Sequence, residues 1–400
     1  MLSVDEARRR ILEAFRPLPA ETVGLGAGLG RVLAEPLVAR TTQPPAAVSA
    51  MDGYAVRGAD VGSLPARLAV IGEVAAGGRF EGRVEAGQAV RIFTGAPLPA
   101  GSDTIVIQED VEPEGDAIRL TEATATGRYV RPEGLDFRAG ETAIPTARRL
   151  SARDLGLAAA MDHPWLPLHR RPRVAILATG DEVVLPGAPR GPSQIVSSNA
   201  FSLAGLIETE GGIAVNLGIA PDRGDSLQAL ARGAQGCDLL VTTGGASVGK
   251  HDLVRSALGD SGLELDFWRI AMRPGKPLLF GRLAGTPLLG LPGNPVSTLV
   301  CGLIFLRPIL RRLQGLDPAP AYLTGRLGCD LPANDQREDY LRSRVDWSEE
   351  GLATVTPFER QDSSMLALLS AAGALAIRPP HAPAAKAGAP IRLLLLDRGI

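Results

Sequence analysis

A regular alternation of apolar runs and helix-like stretches, beginning at Arg173, constrains the fold more than any other feature of the sequence. Val174–Ala178 is a continuous apolar run, a helical stretch follows at 199–209, and further apolar runs cover 214–219 and Leu239–Thr242. Strand, helix, strand and helix in this rhythm are typical of a parallel sheet covered by helices. In such a sheet, ligands bind outside the carboxyl ends of the strands.

The same rhythm continues to about residue 316. Helical stretches are predicted at about 225–235 and after Lys250, and a long helix from about 296 is predicted to end near Gly315. We therefore predict a parallel α/β domain over this part of the chain.

The chain before residue 173 has a different character. Residues 3–18 are predicted to form a helix, because Ser3 and Glu6 have the spacing of a capping box and apolar residues recur on one face. A second helix is predicted after Ser151. Between the helices, short apolar runs separated by Gly, Pro and Asp indicate a small β domain. These runs are Leu68–Ile71, Ala89–Phe93 and Thr104–Ile107.

The last part of the chain contains short strand-like runs with turn residues between them, which indicates a small β-barrel or β-sandwich. The runs are Leu323–Leu327, Leu341–Val345, Ala374–Ile377 and Ile391–Leu396. The predicted domains are a discontinuous helical domain (1–40 and 141–172), an inserted β domain (41–140), the α/β domain (173–316) and a C-terminal β domain (317–400).

Composition argues against several classes of protein. The 42 basic and 44 acidic residues give a net charge of −2 without a long block of one sign, which does not suit nucleic-acid binding. The three cysteines are far apart and form no C-x-x-C pair, so neither a zinc site nor a disulfide framework is expected. The longest apolar run, Leu299–Leu306, is shorter than the roughly 20 residues of a membrane span, and no signal-peptide pattern is present. We therefore expect a cytoplasmic protein that contacts neither membranes nor nucleic acids.

The first motif with chemical character is T-G-D-E at 179–182, directly after a predicted strand. Gly180 lets the backbone turn, so that Asp181 and Glu182 can face a ligand cleft. Taken alone, the segment is also explained by a strand-to-loop turn with solvated acids.

A second predicted strand ends in T-T-G-G-A-S-V-G at 242–249, followed by Lys250, His251 and Asp252. Glycines and a hydroxyl before a helix are suited to cradle an anion, because exposed backbone N–H groups and a helix N-terminus attract phosphate. The spacing differs from that of a P-loop. A purely structural glycine turn is the alternative.

Two further motifs combine proline and glycine. R-P-G-K-P at 273–277 places Arg273 and Lys276 on a stiff segment, which suits a polyanionic ligand. L-P-G-N-P-V-S at 291–297 leads into the predicted long helix, where a Pro-Gly turn with a helix cap is an equal explanation.

The predicted β insertion carries S-A-M-D-G-Y at 49–54 and I-F-T-G-A-P-L-P at 92–99. A lone Asp in a Met-Asp-Gly turn usually serves only the turn itself. The Met-Asp-Gly motif becomes informative only when the order of all the motifs along the chain is considered.

Together the motifs resemble the MoeA family, whose eukaryotic relatives include the gephyrin E domain. They are MDGYA at 51–55, IFTGAPLP at 92–99, TGDE at 179–182, TTGGASVG at 242–249, RPGKP at 273–277 and LPGNP at 291–295. The resemblance covers nearly the whole chain, including a weaker pattern that starts at Gly325 and ends at Arg342. It implies an enzyme of molybdenum cofactor biosynthesis that, with Mg²⁺, inserts molybdate into adenylylated molybdopterin and releases AMP.

The resemblance also implies roles for individual residues. The expected catalytic acids are Asp52, Glu182, Asp222 and Asp252, of which Glu182 and Asp252 are the expected Mg²⁺ ligands. The expected substrate-binding residues are Thr94, Thr179, Gly180, Asp181, Gly244, Gly245, Ser247, Gly249, Arg269, Arg273, Lys276, Pro292, Gly293, Asn294, Arg342 and Ser363.

Arg269 and Arg273 depart from the family pattern, because several relatives carry lysine at these positions. Arginine keeps the charge but offers a planar fork of donors where lysine offers a point charge. We therefore expect both residues to bind anions and neither to act as a base.

The resemblance further implies a homodimer with shared sites, in which the β insertion of one chain faces the sheet domain of the other. Transient contact with a molybdopterin adenylyltransferase and with recipient molybdoenzymes is also expected. A molybdopterin adenylyltransferase is one alternative, but its fold corresponds to the sheet domain alone. A non-catalytic molybdopterin carrier or scaffold is another, although a carrier has no need of acids at 52, 182, 222 and 252.

Overall fold

The computed structural model describes residues 1–244 and 263–396. The chain divides into two compact units. The first is built from Met1–Glu21, Gly30–Ala34 and Leu168–Ile400, and the second from Thr22–Leu29 and Glu35–Pro167. No helix in the described ranges is long and apolar enough to cross a membrane.

The first helix begins where the sequence predicts it and ends earlier. Helix α1 covers Val4–Glu13, and the Ser3 hydroxyl accepts a hydrogen bond from the backbone N–H of Glu6 at 3.2 Å. The prediction extended the helix to residue 18. A proline ring clashes with the carbonyl four residues before it, so Pro17 ends the helix at Glu13.

The second unit consists mainly of β-structure. After β1 (Ala20–Gly24), its elements are β2 (Leu37–Val38), β3 (Val48–Ser49), β4 (Gly53–Val56), β5 (Arg67–Val74), β6 (Gln88–Ile92), β7 (Thr104–Ile107), β8 (Val111–Glu114), β9 (Ala117–Leu120), β10 (Val130–Arg131), β11 (Thr142–Ile144) and helix α2 (Ala152–Ala160). Its largest sheet has the order β7-β4-β6-β5-β9-β8. The three apolar runs predicted as strands lie in β5, β6 and β7.

Both faces of the strands β4, β6 and β7 of this sheet are largely buried. Side chains of neighbouring strand residues point to opposite faces. Ala55 and Ile105 belong to one apolar cluster, whereas their neighbours Val56 and Val106 belong to another. Burial on both sides holds the strand ends in fixed positions, including the turn that precedes β4.

The first unit contains an α/β sheet. Its elements are β12 (Trp165–His169), β13 (Arg173–Thr179), β14 (Val183–Val184), β15 (Ile195–Val196), α3 (Asn199–Thr209), β16 (Ile213–Ala220), α4 (Gly224–Ala231), β17 (Leu239–Thr243), β18 (Leu263–Arg269), β19 (Met272–Arg273), β20 (Pro277–Leu283), β21 (Thr286–Leu291), α5 (Pro295–Cys301) and α6 (Arg307–Leu313). Within the described residues the sheet order is β16-β13-β17-β21-β20-β18.

The sheet is mixed. Strands β16, β13, β17 and β21 are parallel, as the sequence predicts. Strand β20 is antiparallel to both of its neighbours, β21 and β18, which the sequence did not predict. Between β20 and β21 the chain reverses through Ala284 and Gly285, whose φ angles are 47° and 84°. Two consecutive positive φ angles are typical of a tight hairpin turn, and this turn forces the antiparallel pairing.

The chain changes direction at β13. Strand β16 pairs with one side of β13 and β17 with the other. The chain therefore runs from β13 to β16 on one side, and after β16 it crosses β13 to form β17 on the other side. The crevice between the carboxyl ends of β13 and β17 is the place where such a sheet binds its ligand.

The predicted long helix after the sheet is interrupted. Helices α5 and α6 are separated by a π-helical segment, Gly302–Leu306. Pro308 lacks a backbone N–H and cannot continue a regular α-helix, and the wider turn before it accommodates the ring. Gly315, with φ 75°, ends the helical stretch as predicted.

The C-terminal part of the first unit is a closed barrel. Its elements are β22 (Leu323–Leu327), β23 (Glu338–Trp347), β24 (Ala353–Pro357), α7 (Leu366–Ser370), β25 (Ala374–Arg378) and β26 (Pro390–Leu395). The strand order β23-β24-β22-β26-β25 returns from β25 to β23, so the ring closes. Of the two predicted architectures, barrel and sandwich, the structure has the barrel. Strand β19 pairs with β23 in parallel and attaches the segment around Arg273 to the ring.

Candidate functional site

The loops after β13 and β17 meet at the crevice. The two strands are in parallel register, with Ala178 opposite Thr243. Gly244 has φ 92°, and a Cβ atom at this position would lie 2.5 Å from the carbonyl oxygen of Thr179. Only glycine permits both this backbone conformation and this close approach. The T-G-D-E motif and the described start of the second motif, residues 242–244, therefore share one edge of the sheet.

Three acidic residues gather at this edge. Gly180 has φ 136° and turns the chain after β13. A carboxylate oxygen of Asp181 then accepts a hydrogen bond from the backbone N–H of Asp222 at 3.0 Å, which joins the loops after β13 and β16. Glu182 is exposed, and its carboxylate has no hydrogen-bond partner among residues 1–244 and 263–396.

The end of β21 joins the same edge. Thr243 Oγ1 donates to the carbonyl oxygen of Pro292 at 3.3 Å. Asn199, the first residue of α3, donates through Nδ2 to Thr243 Oγ1 at 2.9 Å and to the carbonyl oxygen of Gly293 at 2.7 Å. Sequence reasoning did not select Asn199, because a polar residue at a predicted helix start is explained by capping alone.

The R-P-G-K-P segment lies at this edge as well. Antiparallel pairing of β20 with β21 places Pro277, where β20 begins, beside the end of β21. Gly275 has φ 114°, and a Cβ atom there would overlap the sulfur of Cys301 in α5. Lys276 is exposed, and no partner of its ammonium group is found in the described part of the chain.

The two predicted anion-binding arginines differ in their contacts. The guanidinium of Arg269 lies 4.1 Å from the centre of the Trp268 ring, and its residue pairs with Pro277 across β18 and β20. Arg273 donates to Asp335, Asn334 and Asp339 of the barrel region. The predicted binding of a ligand by either arginine stays a prediction.

The loop before α7 connects to the site through Ser363. Asn294 Nδ2 donates to Ser363 Oγ at 2.7 Å, and the backbone N–H of Val296 donates to the carbonyl oxygen of Ser363 at 3.1 Å. Arg342 is buried and supports this loop, since its Nη1 donates to the carbonyl oxygen of Asp362 at 2.6 Å. Burial lowers the pKa of Arg342. Ser363 is thus joined to the sheet edge, whereas Arg342 lies beneath the loop that carries Ser363.

The second unit has its own predicted site residues. A carboxylate oxygen of Asp52 accepts hydrogen bonds from the backbone N–H of Thr94 at 2.8 Å and from its hydroxyl at 2.7 Å. These bonds hold the pKa of Asp52 below its ordinary value. The Arg91 guanidinium lies 4.9 Å from the centre of the Tyr54 ring and adds a smaller lowering of the same pKa. The MDGYA and IFTGAPLP motifs therefore form one cluster.

A cavity of about 690 Å³ opens beside this cluster in the second unit. Its lining includes Gly95 and Pro97 of the IFTGAPLP motif, together with Arg131 and Asp136. Sequence reasoning missed Arg131 and Asp136. The R-P-E-G-L-D segment at 131–136 was the available signal, since it combines a cation and a carboxylate with turn residues.

Four predicted site residues lie outside the described ranges. They are Gly245, Ser247, Gly249 and Asp252. The predicted pairing of Glu182 with Asp252 as metal ligands stays a prediction. Among the described residues, no group of three or more His, Cys, Asp or Glu side chains is arranged to hold a metal ion.

These features define a class of protein. Glycine turns and a helix start at the switch point of an α/β sheet, with the exposed cation Lys276 further along the same edge, are typical of a protein that binds an anionic ligand. Three family models match successive parts of the chain. They are the MoeA N-terminal region (domain I and II) at residues 2–161, a probable molybdopterin binding domain at 175–312 and the MoeA C-terminal region (domain IV) at 324–396.

Known proteins are similar over most of the chain. A molybdopterin molybdenumtransferase from Nostoc sp. is 37% identical over 331 residues, which are 80% of this chain and 76% of that protein. Molybdopterin molybdenumtransferase 2 of Mycobacterium tuberculosis is 36% identical over 359 residues, 86% of this chain and 88% of the relative. A solved structure of the molybdopterin biosynthesis MoeA protein from Pyrococcus horikoshii is 29% identical with a TM-score of 0.87, and the match covers 100% of both chains. The chain belongs to the MoeA family.

Proposed function

We propose that this protein inserts molybdate into adenylylated molybdopterin and releases AMP. The observation that carries the proposal is the convergence of the T-G-D-E, T-T-G-G, R-P-G-K-P and L-P-G-N-P segments at one edge of the α/β sheet. The names of the relatives support molybdopterin and molybdenum as the substrates.

The site suits a reaction between two anions. Adenylylated molybdopterin contains a phosphoanhydride and molybdate is a dianion, so bringing them together requires positive groups and N–H donors already in place. Lys276 supplies an exposed cation, and glycine-rich turns are a type of backbone whose N–H groups can bind oxyanions. Binding both anions at this edge orients molybdate for its insertion into adenylylated molybdopterin.

Mg²⁺ fits the donor set of the acidic edge. The ion prefers oxygen ligands and needs few carboxylates, because it retains several waters. Glu182, whose carboxylate is unengaged in the described structure, is the first ligand we assign, and Asp252 is the second. A bound Mg²⁺ would neutralise charge on the phosphates. Asp222 is then left to orient the molybdate or the attacking group.

Asp52 has a complementary role. Its lowered pKa keeps the carboxylate ionised, so it acts as a hydrogen-bond acceptor that orients the molybdate or the attacking group. We propose that it serves the sheet edge of a second copy of the chain in a homodimer with shared sites.

The cellular setting is part of the same proposal. The free thiols Cys237, Cys301 and Cys329 suit a reducing compartment, and we place the reaction in the cytoplasm. Transient contact with a molybdopterin adenylyltransferase would supply the substrate, and recipient molybdoenzymes would take the product.

Incubation of the purified protein with adenylylated molybdopterin, Mg²⁺ and molybdate tests the proposal. AMP release that requires molybdate is the expected result. Tight binding without turnover would identify a carrier or scaffold. In a second incubation with ATP and molybdopterin, formation of adenylylated molybdopterin would identify an adenylyltransferase. Either of these results contradicts the proposed reaction.

A further inference from the structure

The segment that carries Arg273 is attached to the barrel at both its backbone and its side chain. Strand β19 pairs with β23 so that Arg273 lies opposite Asp339. The Arg273 guanidinium donates through Nη1 to Asp335 at 3.2 Å, and through Nη2 to Asn334 at 3.2 Å and to a carboxylate oxygen of Asp339. These contacts fix the plane of the guanidinium.

The two carboxylates differ in their surroundings. Asp335 is exposed, and a hydrogen bond from Arg337 is the largest cause that lowers its pKa to about 2. Asp339 is 3% exposed, and burial raises its pKa against the lowering effect of Arg273. Arg337 and Asp335 are the other charged groups that act on Asp339, with smaller effects. Asp335 thus interacts mainly with Arg337, whereas the hydrogen-bonded cation of Asp339 is Arg273.

The raised pKa of Asp339 has a consequence for stability. A carboxyl group with a higher pKa in the folded than in the unfolded state makes folding less favourable as pH rises through the folded value. Ionisation of the buried Asp339 carboxyl is therefore unfavourable in the folded protein, and the hydrogen-bonded contact with Arg273 offsets part of that cost.

The guanidinium borders open space. Arg273 and Asp339 line a cavity of about 370 Å³, together with Asn334 and Gln361. The Arg273 side chain is 46% exposed. A guanidinium has five N–H donors, and the three contacts to the barrel leave donors available, including Nε–H.

We propose that Asp339 is a positioning residue, which holds the Arg273 guanidinium in one orientation so that its remaining N–H groups bind a tetrahedral oxyanion of the substrates. The inference rests on the proposed function and adds a role for the barrel. A guanidinium that is already oriented loses little conformational freedom when it binds a ligand. A lysine at position 273 has a single nitrogen and cannot contact the barrel and an oxyanion in the same planar geometry.

The test compares Asp339→Asn with wild type in the full-length protein, by molybdate-dependent AMP release and by equilibrium binding of each anion. We expect the variant to raise KM and Kd at least about tenfold for one anion, with kcat within about twofold and an unchanged or higher Tm. A change for molybdate identifies the oxyanion as molybdate, and a change for adenylylated molybdopterin identifies it as phosphate. Asp346→Asn is the matched control, because this exposed carboxylate on the same strand β23 does not line the cavity beside Arg273.

A double-mutant cycle separates positioning from an independent effect. In an Arg273→Ala background, Asp339→Asn should cause no further loss of affinity, since the group that it positions is gone. If Asp339→Asn does not fold, Arg273→Lys tests the same contact by changing the arginine in place of the aspartate, and it should raise the KM for the same anion.

Unchanged KM and Kd in a folded variant, or fully additive losses in the cycle, overturn the inference, while wild-type turnover leaves the proposed function intact. A wild-type protein that releases no AMP but binds an oxyanion in an Asp339-dependent manner overturns only the proposed function. A protein that binds neither anion overturns both.

Discussion

Asp52 and Thr94 are joined by two hydrogen bonds to one carboxylate oxygen, from the Thr94 backbone N–H at 2.8 Å and from its hydroxyl at 2.7 Å. Between their positions in the chain lie β4, β5 and β6, and the large sheet of the second unit brings the two turns together. The pair lowers the pKa of Asp52 and so determines the pH range over which this carboxylate is ionised.

Replacing the Thr94 hydroxyl should shift the pH dependence of the reaction. Thr94→Val removes one of the two hydrogen bonds, so the pKa of Asp52 should rise towards its ordinary value. The acid limb of the kcat/KM profile should then move to higher pH, because Asp52 becomes protonated earlier as pH falls. Thr94→Ser retains the hydroxyl and should keep the wild-type profile. An acid limb in the same position for Val and Ser would show that Asp52 ionisation does not control the rate.

Gly244→Ala should destabilise the protein more than an alanine at another positive φ. Gly187 has φ 84° and open space within 4 Å of the point that a Cβ atom would occupy, so Gly187→Ala should cost about 1–2 kcal/mol for the backbone conformation alone. Gly244→Ala adds a clash with Thr179 and should cost roughly 1–3 kcal/mol more. Urea unfolding of both variants measures the difference. Equal losses would mean that the two loops separate freely at this point.

Lys276→Met should weaken substrate binding without destabilising the fold. Loss of a charge-assisted contact to an oxyanion is worth about 1.5–3 kcal/mol, which corresponds to roughly a 10- to 150-fold higher Kd. Lys386→Met is the matched control, since this exposed lysine pairs with Asp330 in the barrel. Calorimetric titration with adenylylated molybdopterin measures both. A Kd for Lys276→Met within about twofold of the control would show that this lysine does not contact the substrate.

Sites shared between subunits should reappear when two inactive variants are mixed. Asp52→Ala and Asp252→Ala homodimers are each expected to be inactive. If the two acids act on one ligand from different chains, a mixed dimer has one doubly substituted site and one intact site. Random exchange makes about half of the dimers mixed, so about a quarter of wild-type activity should return. Exchange verified by mass spectrometry without recovered activity would place both acids in the same chain.

Much of the site could be predicted because its residues follow from local rules. Gly180 and Gly244 occupy backbone conformations that favour glycine, and the sequence shows glycine directly after apolar strands. Such turns are recognisable one segment at a time. Asn199 and Asp339 could not be found in this way, because their partners are distant in the chain and both side chains have ordinary local explanations.

The fold, like the site, was predictable from the sequence only in part. Most of the strands of the parallel sheet were predictable from apolar runs, since burial on both faces leaves a continuous pattern. The antiparallel pairing of β20 with its neighbours, the π-helical interruption before Pro308 and the strand β24 of the barrel were missed. Each depends on a turn geometry or on a neighbouring strand that a period in the sequence does not specify.

The sequence by itself determined the family resemblance, the positions of the ligand loops and the kinds of side chain that they carry, because turn chemistry and burial act on neighbouring residues. Only the tertiary structure decided which of those side chains are engaged. In the sequence Arg273 is a free cation on a stiff segment, yet the pairing of β19 with β23 places it against Asp339 and Asp335. Lys276, three residues later, has no such partner in the described structure. Electrostatic contacts depend on distances across the fold, and these are set by strand pairing between segments that the sequence keeps far apart.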